Sequence, residues 1–178
     1  MKEILFNELL DCMVPIRIQP SGLSMHPFIR RGDYITITPT SFDNRDGVGD
    51  MIAPGDCVIF QEDSDRWLIH RVIGKNRKNS NIITKGDALL HPDLPVTPGM
   101  LWGKVTRIHR VNSQKEYQLD RLLDRRICRW IAFLSRCEAV ISSIFRLRRQ
   151  KVACSPGFEF ITRIIKFPKW ILTRIFFP

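Results

Sequence analysis

The sequence predicts a mostly β domain of coiled sheet over residues 1–120, followed by a basic helical tail over residues 121–178. Three observations carry this reading. Short alternating or apolar runs recur up to about residue 119, separated by Gly, Pro and Asp turn signals, the pattern of many short strands in a curled sheet. Beyond Asp120 the apolar spacing changes to that of a helix. The net charge of +10 also changes there: residues up to Asp120 are charge-balanced, and the whole excess of Lys and Arg lies beyond it.

The elements follow in order. Residues 2–13 carry Ile4, Leu5, Leu9, Cys12 and Met13 toward one side of a short amphipathic helix. VPIRIQP alternates as a strand ending at Pro20, and SGLSMHPF is a turn-rich stretch in which Ser24 opens a short helical segment. Arg31-Gly32-Asp33 turns the chain into the strand YITITP. Residues 40–53 are polar and rich in Gly and Asp, the mark of a loop, and Pro54-Gly55-Asp56 launches CVIF. RWLIHRVIG is the next strand, joined through a polar connection at 75–81 to IITKGD. A Pro-rich loop spans 91–98, and strands at 101–111 and 116–119 complete the sheet. Gly32, Gly55 and Gly86 are expected at positive φ, and Asp33 and Asp56 are expected to hydrogen-bond local backbone. In the tail, Ile127, Trp130, Ile131, Leu134, Cys137, Ile141 and Ile144 keep helical spacing. Ser155-Pro156-Gly157 breaks the pattern, and aromatic and β-branched residues then interleave with Arg163, Lys166, Lys169 and Arg174.

Composition excludes several classes. The five thiols Cys12, Cys57, Cys128, Cys137 and Cys154 are odd in number and form no CxxC pair, so they predict neither a disulfide framework nor a zinc site. They read as small core hydrophobes in a reducing compartment. His26, His91 and His109 match no metal-ligand spacing with Asp93, and no metal or cofactor is expected. The first fourteen residues contain Glu3, Glu8 and Asp11 and lack a secretory apolar core. The stretch closest to a bilayer span, residues 127–147, is interrupted by Arg129, Arg136, Glu138 and Arg146.

Two residues stand out chemically: a serine between Leu23 and Met25 in a tight turn, and a histidine within the apolar strand LIHRV. Either alone has an ordinary structural explanation. Their company is more specific. SGLSMHP, RRGDYITI, PGDCVIF, LIHRVIG, TKGDALLHPD and GKV occur in this order between Pro20 and Val105, and together they resemble the type I signal peptidase family. That resemblance implies a coiled β-sheet domain of the signal-peptidase and repressor-peptidase kind, with Ser24 as nucleophile. The second catalytic box opens on His70 where the common bacterial form has lysine, so the chain is similar to the archaeal and endoplasmic-reticulum form. That form also uses an aspartate, for which Asp93 and Asp87 are the two candidates. Ser21, Gly22 and Met25 are the expected substrate or oxyanion contacts, Met25 being equally a residue that shapes the turn.

Elementary chemistry agrees with these roles. A serine hydroxyl is a weak nucleophile until a base within hydrogen-bond reach takes its proton. Imidazole performs that transfer near neutral pH, and a carboxylate behind it fixes the tautomer and stabilises the imidazolium. The backbone N–H of Ser24, with a donor from Ser21 or Gly22, would serve the oxyanion. The expected partner is therefore a peptide or preprotein, cleaved at a leader or signal-type site.

The family normally carries a transmembrane anchor before the serine, and the residues preceding Ser24 are too polar to span. The basic, aromatic tail instead suits an in-plane helix at an anionic membrane surface, or a helix packed back on the sheet. Nucleic acid is not expected, because no DNA-reading motif accompanies the charge. These features point to membrane association at the cytoplasmic face of the inner membrane. Two rival readings remain: a self-cleaving repressor-type peptidase, which uses lysine as its base, and a catalytically silent binding module on the same fold.

Overall fold

The structure, a computed structural model, describes residues 14–40, 52–63, 66–76, 80–149 and 157–177; for residues 122–123, 144–149 and 157–165 it describes backbone alone. The expected helix at 2–13, most of the loop at 40–53, and Ser155 and Pro156 lie outside the described residues.

Among the described residues seven antiparallel strands form one sheet: β1 (Ile16–Ile18), β2 (Tyr34–Pro39), β3 (Cys57–Asp63), β4 (Arg66–Lys75), β5 (Ile82–Lys85), β6 (Leu101–Arg110) and β7 (Lys115–Gln118). Their order is β1-β2-β6-β3-β4-β5, with β7 also on β6. Up to Gln118 the expected mostly β character holds. β6 is the spine. Its Gly103 and Lys104 pair with both β2 and β3, whereas Arg107, Ile108 and His109 pair with both β2 and β7. Register shifts between Thr36 and Ile37, Ile59 and Phe60, Gln61 and Asp63, and Val72 and Gly74 bend the strands. Such bulges add local twist and let one sheet coil over itself.

Alternation along β3 separates two cores, because successive side chains leave opposite faces. Cys57 and Ile59 join Ile35, Ile37, Val105 and Ile108 on one side. Val58 and Phe60 join Ile52, Val72, Ile82 and Val96 on the other. The CVIF run is thus apolar throughout because both of its faces are buried.

Two helices follow, α1 (Leu122–Arg149) and α2 (Gly157–Phe176), with Pro168 inside the second. The change of texture at residue 120 is a change of secondary structure, but packing continues across it. Ile127, Cys128, Ile131 and Phe177 belong to the first core, where the Phe177 ring sits edge-on to Phe28 at 4.9 Å. The Phe177 carbonyl accepts hydrogen bonds from Arg110 (2.8 Å) and Arg30 (3.0 Å). α1 crosses the Pro54-Gly55 turn so closely that a Cβ on Gly55 would lie 2.9 Å from the Arg129 nitrogen, and Gly55 has φ +106°. Glycine is required there on both counts.

Candidate active site

His70 lies on β4 opposite Val58 of β3, two residues before Val72, which pairs with Thr84 of β5. Period-two alternation therefore puts His70 and Thr84 on the same face. The loop after β5 returns to this face. It is held by paired hydrogen bonds of 2.9 Å between Ile82 and Val96 and by Asp93 N–H donating to the Thr84 carbonyl at 2.9 Å. Asp93 Oδ2 consequently meets both His70 Nδ1, at 2.7 Å, and the Thr84 hydroxyl, at 2.7 Å. A carboxylate against Nδ1 favours the proton on that nitrogen and leaves Nε2 as an acceptor. Nε2 is buried and has no hydrogen-bond partner among the described residues. The Phe60 ring stands edge-on to the imidazole at 6.1 Å.

Ser24 begins a hydrogen-bonded turn over residues 24–28 and not the short helical segment expected from sequence, with His26 N–H bonded to Leu23 O and Ile29 N–H to Met25 O, each at 3.0 Å. The next turn is tied by Asp33, which accepts the Arg30 N–H, and Asp56 does the same for Ala53. The serine turn is sewn to the loop after β5: Ala88 N–H donates to the Ser24 carbonyl at 2.7 Å. Gly86 permits the approach, since a Cβ there would lie 2.8 Å from Ser24 O and 2.9 Å from the Leu89 side chain. Its value is close approach and not the positive φ expected from sequence, which occurs at Gly32 and Gly55.

Ser24 is half-buried in the wall of a cleft of about 470 Å³. Ser21, Gly22 and Met25 line it from the serine turn, and Trp67, Leu68 and Ile69, the three residues before His70, line it from β4. Ser21 and Gly22 are exposed, while Met25 is buried in the first core with one side on the cleft. His70 does not itself line the cleft, and no hydrogen bond joins the Ser24 hydroxyl to His70 Nε2.

Of the two acidic candidates, Asp93 meets His70 and Asp87 does not. The Asp87 carboxylate receives Arg71 Nη2 at 2.7 Å and Nε at 3.0 Å, with both side chains fully buried. Arg71 Nη1 donates to Gly55 O at 2.9 Å, and its guanidinium lies 4.2 Å from the centre of the Phe28 ring. Burial alone would push the Asp87 carboxyl up, but the Arg71 charge and hydrogen bonds, helped by Lys169 and Lys85, outweigh it and hold the group below its ordinary value. Burial raises both the Cys57 and Cys128 thiols. They are un-ionised core groups, and with Cys137 they are free.

A second buried charge cluster joins this loop to the helices. Glu138 of α1 accepts Lys85 at 2.8 Å and Lys169 of α2 at 3.1 Å. Lys169 also donates to the Asp87 carbonyl, and Lys166 donates to the Ala88 carbonyl at 3.0 Å. Burial, reinforced by the Lys169 charge, lowers Lys85. The loop that contacts Ser24 is therefore clamped from behind by α2. Sequence reading missed this cluster because its members are far apart along the chain. The available signal was Glu138, the one acidic residue beyond the first turn of an otherwise apolar and basic helix, read only as an interruption. No protein-family model, curated protein or solved structure matches the chain.

Proposed function

We propose that this protein is a serine endopeptidase with the coiled sheet of the signal-peptidase and repressor-peptidase kind, cleaving a leader or signal-type peptide. The reading rests on one observation above all: an imidazole whose Nδ1 is fixed by a carboxylate and whose Nε2 is buried and unpartnered among the described residues, on the strand whose three preceding residues line a serine-bearing cleft. A buried acceptor without a partner carries a desolvation cost that a structural histidine would avoid. A general base needs that nitrogen open for the proton it will take.

In this mechanism Ser24 Oγ attacks the scissile carbonyl carbon as its proton passes to His70 Nε2. Asp93, itself held by Thr84, stabilises the resulting imidazolium. Backbone N–H of Ser24 and a donor from Ser21 or Gly22 receive the oxyanion. Collapse breaks the C–N bond, and the leaving amine takes the proton from Nε2. A water, deprotonated by the same nitrogen, then hydrolyses the acyl-Ser24 ester. Asp87 has no step here, since its carboxylate is engaged by Arg71.

The lack of a hydrogen bond between Ser24 and His70 favours one other reading, a catalytically silent module. Catalytic hydrogen bonds often tighten only around substrate. The deciding experiment is labelling by a serine-directed acylating probe that mimics a small-residue peptide, using wild type, Ser24→Ala and His70→Ala. Labelling of wild type that disappears in both variants is expected. No labelling of folded wild type with lipid present would sink the peptidase reading in favour of the silent module.

A further inference from the structure

On a helix that packs against a protein and faces water, the apolar stripe turns inward and the polar stripe outward. The described part of α2 has the reverse arrangement. Lys169 and Thr173 are 3% and 1% exposed, whereas Phe167 and Ile175 are 59% and 64% exposed, with Trp170 also at the surface. The inward residues are committed there: Lys169 meets Glu138 and the Asp87 carbonyl, and Lys166 meets the Ala88 carbonyl. Rotating α2 to hide its aromatic face would strand these groups. The outward aromatic face is thus a stable feature of the fold.

α1, which packs against α2, turns Ile127, Cys128 and Ile131 inward but also leaves aromatic residues at the surface. Ser135, Glu138 and Ser142 are buried, while Trp130 and Phe133 are 62% and 56% exposed and stand edge-to-face at 5.9 Å. Charge on the two outward faces has one sign. Arg126 and Arg129 flank Trp130 and Phe133 in a shallow apolar depression, and the Arg174 guanidinium lies over the Trp170 ring at 4.9 Å. Neither segment 126–136 nor segment 166–177 contains an acidic residue. Aromatic rings interleaved with arginine match the boundary layer of a bilayer, where rings enter the acyl edge and guanidinium groups reach the phosphates. Among the described residues no helix is long and apolar enough to cross.

We infer that the outward faces of α1 and α2 form a docking surface for an anionic lipid bilayer, on which both helices lie in the plane of the interface. The inference does not depend on the peptidase reading.

The test is co-sedimentation of the full chain with phosphatidylglycerol/phosphatidylcholine vesicles and with phosphatidylcholine vesicles alone, together with tryptophan emission. Trp67 and Trp102 are partly buried against the first core and stack edge-on, whereas Trp130 and Trp170 are exposed and report on the outward faces. The expected results are binding to the anionic vesicles at least about tenfold tighter than to neutral ones, weakening with salt, and a blue shift on binding. Phe133→Ser/Phe167→Ser and Arg129→Glu/Arg174→Glu should each reduce binding at least about tenfold while retaining the wild-type circular dichroism spectrum. If either pair disturbs folding, the single exposed changes Phe167→Ser and Arg174→Glu replace it. Absence of binding by folded wild type at millimolar anionic lipid overturns the inference. So does a concentration-dependent dimer that Phe167→Ser dissolves and vesicles do not, which would make a second copy of the chain the occupant.

Discussion

Asp93 has two duties that one oxygen performs together: it accepts from His70 Nδ1 and from the Thr84 hydroxyl, both at 2.7 Å. Replacing it by asparagine keeps the volume but allows the amide to present N–H to the ring, which moves the imidazole proton to Nε2 and removes the base. Under the proposed mechanism, Asp93→Asn should lower the rate of acylation of Ser24 by about 10³–10⁴ with little change in probe affinity. Stopped-flow labelling separates the two quantities. An effect on affinity alone would mean that Asp93 shapes the cleft and does not act through His70. The sequence named His70 and placed Asp93 first, but left Asp87 as a second candidate for the same role. What separates the two acids is the strand pairing that turns Arg71 to the opposite face from His70.

The loop after β5 decides where the serine turn sits. Gly86 lies so close to the Ser24 carbonyl, at 2.8 Å from a built Cβ, that any side chain must push the turn or the loop aside. A displacement on the order of 1 Å costs about 10²-fold in a positioned reaction. Gly86→Ala is therefore expected to slow Ser24 labelling by roughly that factor, provided the protein is a serine peptidase. Gly99→Ala is the matched comparison, since a Cβ at Gly99 meets nothing within 4 Å and the residue does not line the cleft. Equal labelling rates for the two variants would show that the loop's approach does not set the serine's position. The α2 helix supports this loop through Lys166 and Lys169, so an element read from sequence as a tail is a brace behind the candidate site.

At the scale of the whole molecule, the buried ion pair and the charge cluster beside it bind the sheet to both helices. Asp87 is held below its ordinary carboxyl value by Arg71, with Lys169 and Lys85 adding to the effect. Its folded value is thus lower than its unfolded value. The stability it contributes is present above about pH 4 and is lost as pH falls through the lowered folded value. Urea midpoints measured between pH 2 and pH 7 should fall on this acid limb in wild type. In Asp87→Asn the limb should be shallower. That variant should also be less stable near neutrality by about 3–5 kcal/mol, because Arg71 is left as a buried unpaired charge. Matching acid limbs in the two proteins would assign the loss to other carboxylates.

The sequence by itself determined the strands, since each was written as a local pattern. YITITP is β2 over Tyr34–Pro39, and the runs around CVIF and LIHRVIG are β3 and β4. It also determined the helical texture beyond residue 120 and the chemistry-bearing side chains, because residue type and turn chemistry are local properties. Only the tertiary structure decided which carboxylate faces His70, since that depends on a loop returning to one face of the sheet. It alone paired Lys85 and Lys169 with Glu138, groups whose meeting no local pattern encodes. It also decided which side of each helix is hidden. Spacing along a helix shows that two stripes exist, but the stripe that turns inward depends on what the neighbouring elements offer, and here they offer carbonyls and a carboxylate to lysines.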